Sequence, residues 1–382
     1  MKNIIPYGRQ FIDNNDIDKV GRVLKKDFIT QGDIVDDFEK KFAKKVGSKY
    51  AVAVSSCSAG LHLSCLIYSK RKFKNIVTSP ITFASTANAI LHSGKKPLFC
   101  DVGIQDANIS PDSLKVIVKN KNIGGVIPVH FAGNTCDMKA IKNICKEKNI
   151  FIIEDAAHAL GSQYDCGSMV GSCKYSNITV FSMHPLKSIT TGEGGMITTN
   201  NLSIYKKLKA LRSHGIEKTN NLLKPWWYSM NYLGFHYRIT DFQCALGISQ
   251  LSKLKKFTKT REDIAKRYIH LLKGSENCKL LINKIPRIKK SYHLFVVKIN
   301  FKKIKSTKTK LMNYLKKKGI GTQVHYIPVP MLKFYKSLGY NMKNLKNAKQ
   351  FYDQAISIPI FFQLKIKAQI YIIKEIKKFI KI

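Results

Sequence analysis

Lys187 stands five residues after Ser182 and directly ahead of Ser188-Ile189-Thr190-Thr191-Gly192-Glu193-Gly194-Gly195. A lysine that follows an apolar strand and precedes a glycine-rich turn can have its amine desolvated, which makes it available as a nucleophile. The glycines are not a P-loop, because no Lys-Ser/Thr pair follows them. Asp155 comes after the apolar run Phe151-Ile152-Ile153 in Glu154-Asp155-Ala156-Ala157-His158. A carboxylate delivered there by a buried strand could pair with a protonated ring nitrogen; the competing reading is a helix N-cap. His158 either hydrogen-bonds a ligand oxygen or caps a turn. The small residues Ser55-Ser56-Cys57-Ser58-Ala59-Gly60 open a helix after a strand and leave N–H groups and hydroxyls for a phosphate, although such turns also arise for capping alone.

Elements that end on these residues must place them together. Between about residues 50 and 200, short β-branched runs alternate with helix-like segments, the pattern of a parallel sheet with crossover helices. The runs Ala51 to Val54, Asn75 to Thr78, Pro97 to Asp101, Gly125 to His130, Phe151 to Glu154, Ile178 to Ser182 and Gly195 to Thr198 predict seven strands. Amphipathic stretches at Ala59 to Tyr68, Thr82 to His92 and Met138 to Lys148 return the chain right-handedly. The fold class is α/β, and ligands gather at strand carboxyl ends in such sheets. After Leu251 the character changes to a Lys-rich helix through Leu272, strand-like Tyr292 to Ile299, a helix around Thr307 to Lys318 and strand-like Gly321 to Tyr326. This divides the chain into a large α/β domain over 1–250 and a small α+β domain over 251–382. Ile366, Ile370, Ile373, Ile376 and Ile380 predict a closing amphipathic helix.

Composition narrows the classes. Apolar residues make up 44% of 382 residues, enough for real cores in two packed units. No eighteen-residue apolar window and no signal-peptide pattern occur, and nine scattered cysteines without a C-x-x-C pair resemble neither a disulfide framework nor a zinc site. A cytoplasmic protein with no membrane partner is expected. The formal charge of +42 invites a nucleic-acid reading. Only eight of the 66 basic residues are arginines and the lysines are dispersed, so a solvated basic surface and no nucleic-acid partner is the reading taken. The same field favours an anionic small-molecule substrate.

Together, Glu154-Asp155-Ala156-Ala157-His158, Ser182-x-His184-x-x-Lys187 and Gly192-Glu193-Gly194-Gly195 resemble the pyridoxal-phosphate sugar aminotransferases of the DegT/DnrJ/EryC1/StrS type. Ile5-Pro6-Tyr7-Gly8-Arg9-Gln10, Thr30-Gln31-Gly32, Ile127-Pro128-Val129-His130-Phe131-Ala132-Gly133, Leu211-Arg212-Ser213-His214-Gly215-Ile216 and Tyr237-Arg238-Ile239-Thr240-Asp241 are similar to the branch serving pseudaminic acid biosynthesis. The resemblance implies the type I aminotransferase fold, with a seven-stranded mostly parallel sheet, and pyridoxal 5'-phosphate as cofactor. It implies that Lys187 tethers the cofactor and shuttles a proton, that Asp155 pairs with the pyridine nitrogen and that His158 contacts the ring hydroxyl. Ser58, Ala59 and Ser182 would hold the phosphate and Phe83 would stack on the ring. It further implies a homodimer with shared active sites, in which His236, where relatives usually have Asn, reaches the neighbouring subunit's phosphate. The implied reaction moves an amino group from L-glutamate to C4 of a UDP-linked 4-keto-6-deoxy-N-acetylhexosamine. Tyr7, Thr30, Gln31, His325 and Tyr326 are the candidates for lining the sugar site. Alternatives are a related enzyme using another nucleotide keto-sugar, a dehydratase with His in place of the Lys, against which Lys187 speaks, and a non-catalytic basic scaffold protein of the same fold.

Overall fold

Seven apolar runs form one sheet in the computed structural model, which describes residues 4–120, 122–218, 224–281 and 288–381. They are β1 (Tyr50–Val54), β2 (Asn75–Thr78), β3 (Lys96–Phe99), β4 (Ile123–Ile127), β5 (Phe151–Asp155), β6 (Ile178–Ser182) and β7 (Gly195–Thr199). Their order is β1-β7-β6-β5-β4-β2-β3, and every pairing is parallel except those of β7, which is antiparallel to both β1 and β6. The strands read as apolar runs because helices cover both faces. Side chains alternate between two cores: Ala51, Ala53, Ile152, Phe181 and Met196 face one, while Val52, Val54, Ile153, Val180 and Ile197 face the other.

The first core is closed by α2 (Asp33–Val46), α5 (Pro111–Asn120), α6 (Met138–Lys146) and the first half of α8 (Asp241–Leu272), with α1 (Asn14–Leu24) packed along α8. The second is closed by α3 (Cys57–Leu66), α4 (Ala84–His92) and α7 (Leu202–Arg212). An antiparallel pair, β8 (Ile216–Lys218) and β9 (Tyr228–Met230), leaves Trp226, Trp227, Tyr228 and Met230 exposed. It was not foreseen from sequence, since three-residue strands carry little periodicity.

The smaller α+β unit is built on the antiparallel sheet β10 (Cys278–Leu280), β11 (Phe295–Ile299) and β12 (Ala355–Ile358), with α9 (Lys308–Lys317), α10 (Lys333–Ser337), α11 (Lys346–Gln354) and α12 (Ile366–Ile380). Its core joins Phe295, Val297 and Ile299 to Leu311, Leu315, Ile372, Ile373 and Ile376. Helix α8 is one piece of 32 residues that runs through position 250: Leu251, Leu254 and Phe257 pack in the large core, while Ile264, Ala265, Tyr268 and Leu272 pack in the small one.

Two local expectations differ from what is observed. The stretch from Gly321 to Tyr326 is not a strand; it touches sheet structure only through a bridge of Gln323 to Ser357, and then bends into the cleft. The N-terminal arm lies against its start, where Gly321 N–H donates to Ile5 O at 2.8 Å and a Cβ on Gly321 would come within 3.0 Å of Tyr7 N. In α12, Ile373, Ile376 and Ile380 are buried as expected, but Ile366 and Ile370 are exposed and Ile372 is buried instead, because the buried stripe is centred one residue round the helix from the Ile366/Ile370 row.

Candidate active site

Strands β5 and β6 end side by side, and their last residues are Asp155 and Ser182. Facing them is the start of α3, with Ser56 as N-cap, and together these edges bound a cavity of about 700 Å³. Lys187 and His158 line it, as do Ser58, Cys57, Phe83, Tyr7, His325 and Tyr326. The α3 start is pressed against β7: a Cβ on Gly195 would sit 2.5 Å from Ser56 O and 2.8 Å from Cys57 N, so only glycine allows this approach.

Asp155 is buried. Its Oδ2 accepts from Thr86 Oγ1 at 2.7 Å and its Oδ1 accepts from Ala157 N–H at 3.1 Å. Thr86 is in turn 2.7 Å from Thr82 Oγ1, so a chain of two hydroxyls, one just ahead of α4 and one in its first turn, fixes the carboxylate. Burial raises the Asp155 pKa, and the hydrogen bonds from Thr86 and Ala157 together with the Lys187 charge work against that rise. Such a carboxylate gains from a cation placed against it. Burial pulls the Lys187 amine down to about 8, opposed by Cys57 and Asp155.

Four histidines line the same space, and His158, His293 and His325 are the buried ones. His158 Nδ1 accepts from Ala132 N–H at 3.3 Å, which leaves the proton on Nε2 to be donated to Tyr326 Oη at 3.0 Å. Tyr326 keeps its own hydroxyl proton for the cavity. His325 Nδ1 is 2.7 Å from Ser357 Oγ, and burial followed by the Lys187 charge lowers its pKa to about 4. His293 packs its ring 4.5 Å from that of His158. Burial, with Lys187 next in weight, lowers the pKa values of His158 and His293 well below the usual histidine range. All three are therefore neutral at pH 7. Phe83 stands at the mouth, 62% exposed, its ring 6.0 Å from that of Tyr326.

Of the residues singled out from sequence, Lys187, Asp155, Ser58, Phe83, His158, Ser182, Tyr7, His325 and Tyr326 share this cavity. Ala59 does not line it: its N–H is taken by the N-cap oxygen Ser56 Oγ at 3.1 Å, so the donors left at this turn come from Cys57 and Ser58. Thr30 and Gln31 are exposed and lie away from the cavity of their own chain, held at the start of α8, where Thr30 bridges Thr240 and Asp241 accepts from the Gly32 and Ile34 N–H groups. His236 also lies outside the cavity, bridged to Ser213, with its ring 5.4 Å from that of His214. Sequence reasoning missed Thr86, Gln323 and His293. Hydroxyls four apart, Thr82 and Thr86, were a usable signal; His293 had none, because it sits inside an apolar strand-like run.

The profile of the DegT/DnrJ/EryC1/StrS aminotransferase family matches residues 10–377. The UDP-4-amino-4,6-dideoxy-N-acetyl-beta-L-altrosamine transaminase of Campylobacter jejuni is 39% identical over 367 residues, covering 95% of this chain and 94% of that protein. Helicobacter pylori PseC, an aminotransferase involved in the biosynthesis of pseudoaminic acid, superposes with a TM-score of 0.92 at 30% identity and 99% coverage of both chains. The PLP form of Spr1654 from Streptococcus pneumoniae superposes with a TM-score of 0.90 at 26% identity, again over 99% of both chains. The chain belongs to the DegT/DnrJ/EryC1/StrS aminotransferase family.

Proposed function

We propose that this enzyme is a pyridoxal-phosphate-dependent sugar aminotransferase of pseudaminic acid biosynthesis, moving the amino group of L-glutamate to C4 of a UDP-linked 4-keto-6-deoxy-N-acetylhexosamine. The observation that carries the reading is the meeting, in one cavity, of the depressed amine of Lys187, the desolvated carboxylate of Asp155 and an anion-receptive turn at α3 beside Ser182. The names of the Campylobacter and Helicobacter relatives supply the sugar and the pathway.

The residues fit the cofactor. The close approach of Gly195 to Ser56 and Cys57 leaves a shallow cradle where Cys57 N–H, Ser58 and Ser182 would hold a phosphate at a helix N-terminus. Asp155, buried and held by Thr86, would face the protonated pyridine nitrogen. His158 would meet the ring hydroxyl through Nε2 by giving up its hydrogen bond to Tyr326 Oη, Phe83 would lie against the ring and Lys187 would be the tether. When bound, pyridoxal phosphate supplies a conjugated ring that takes up the electron pair left as a proton departs from the donor's α-carbon. Asp155 keeps that ring charged by holding a fixed carboxylate against it in a water-poor site. Lys187 Nζ takes up and returns the proton, a task suited to an amine whose pKa has been drawn to about 8. Tyr7, His325 and Tyr326 would border the sugar.

In this reading the enzyme acts in the cytoplasm as a homodimer, with a large domain over 1–250, a small one over 251–382, and Thr30, Gln31 and His236 reaching the cavity of a second copy. Among the described residues no helix is long and apolar enough to cross a membrane. The test is a coupled assay that offers glutamate with several UDP-4-keto-sugars and reads the ketone-to-amine mass change. Turnover of the 4-keto-6-deoxy-N-acetylhexosamine is expected, and turnover of none would remove the substrate assignment. The purified protein should also absorb in the visible range and lose the band in Lys187→Ala; an unchanged spectrum would remove the tether.

A further inference from the structure

Behind the cavity, Arg261 on α8 is buried, and its Nη1 donates to the carbonyl oxygens of His293 at 3.2 Å and Ile360 at 2.9 Å. Carbonyl dipoles are its recorded partners, and among the described residues no carboxylate forms an ion pair with it. A buried cation without a counter-ion projects its charge into the nearest low-dielectric space. In front of it stands His293, 6% exposed, its Nδ1 buried and without a hydrogen-bond partner. Of the other histidines lining the cavity, His158 and His325 are engaged by Tyr326 and Ser357, and the exposed His184 accepts from Leu186 N–H through Nδ1 at 3.4 Å. His293 makes no recorded side-chain hydrogen bond and lines the cavity, so Nε2 is the ring atom that a ligand can reach.

We infer that the corner formed by His293 in front of Arg261 receives the α-carboxylate of the amino-acid donor, with His293 Nε2–H donating to it and Arg261 supplying the uncompensated positive charge. This rests on the aminotransferase reading. The donor's carboxylate is one bond from the carbon that must present its proton to Lys187, so its seat has to lie beside Lys187 and His158, where His293 is found. The other anion of the reaction, the nucleotide diphosphate, is separated from the reacting carbon by the sugar ring and belongs nearer the mouth. A sugar hydroxyl, being uncharged, would gain nothing from Arg261. A neutral imidazole suits the task, since it donates a hydrogen bond with fixed direction and needs no counter-ion when the site is empty.

The two half-reactions separate this seat from the rest of the site. His293→Phe keeps a ring of similar size and removes the donor; the apparent dissociation constant for L-glutamate, read from the change in the visible band, should rise about ten- to a hundredfold. The reaction of the already aminated enzyme with keto-sugar should keep its rate. His293→Asn should bind the donor within about threefold of the parent. Equal loss in both halves, or unchanged donor affinity in His293→Phe, overturns the inference. Failure of the unaltered enzyme in both halves would instead remove the proposed function. Should His293→Phe not fold, glutarate titrated into the parent enzyme with ¹⁵N-labelled histidine decides: shifted ring-nitrogen signals for His293 support the seat, and unmoved ones overturn it.

Discussion

Lys187 is held in a place that costs folding free energy, and the cost depends on pH. Its amine falls from the ordinary lysine value of 10.5 to about 8, chiefly through burial, so between those values the folded chain binds fewer protons than the unfolded one. The penalty is complete below pH 8 and fades as pH rises toward 10.5. In cofactor-free protein, Lys187→Met should therefore gain about 1–3 kcal/mol of stability at pH 7, with little gain left at pH 10.5, as measured by denaturant melts at the two pH values. A gain that does not change with pH would contradict the burial argument. Lys187, Asp155 and Ser182 were legible in the sequence because each follows an apolar run that had to be a buried strand or its exit. Tyr7, His325 and Tyr326 reached the cavity as the family resemblance implied. His293 was not legible, and the spacing of Thr82 and Thr86 signals a hydroxyl pair without its target: Asp155 lies 69 residues from Thr86 and His158 lies far from His293 in the chain, and only the folded packing brings them together.

Among the elements, strands were easier to read than connections. All seven strands of the large sheet were visible as β-branched runs, since burial on both faces excludes polar residues, and their ends differ by a few residues at most. The Gly321 to Tyr326 stretch has the same composition as a strand, but it pairs at isolated positions because the N-terminal arm and the cleft occupy its sides. Contact between β7 and the start of α3 matters more than either element alone. Gly195→Ala would drive a methyl into backbone atoms at 2.5 and 2.8 Å, which cannot rotate away as a side chain would. Stability should drop by about 1–3 kcal/mol, and the affinity of cofactor-free protein for inorganic phosphate should fall with it. Phosphate affinity equal to that of the parent would show that this turn does not carry the anion site.

At the scale of the whole molecule, a single chain leaves Thr30, Gln31 and His236, besides Ala59, outside its own cavity. If His236 serves a second copy, mixing Lys187→Ala with His236→Ala chains after mild unfolding and reassociation should restore about a quarter of the parent activity, because half the dimers would be mixed and each would hold one intact site. No recovery would mean that each chain works alone. The charge of +42 was fully visible in the sequence and said little about the site, since a dispersed surface field does not choose between ligands. Less visible was the continuity of α8, whose lysine-rich middle reads as a change of domain but is an unbroken helix of 32 residues, about 48 Å long. One end of this shaft is rooted in the large core, the other in the small core, and Arg261 lies along it. A shaft without a joint transmits torque, so any turn of the smaller unit about it would carry Arg261, and the charge behind the cavity, along with it.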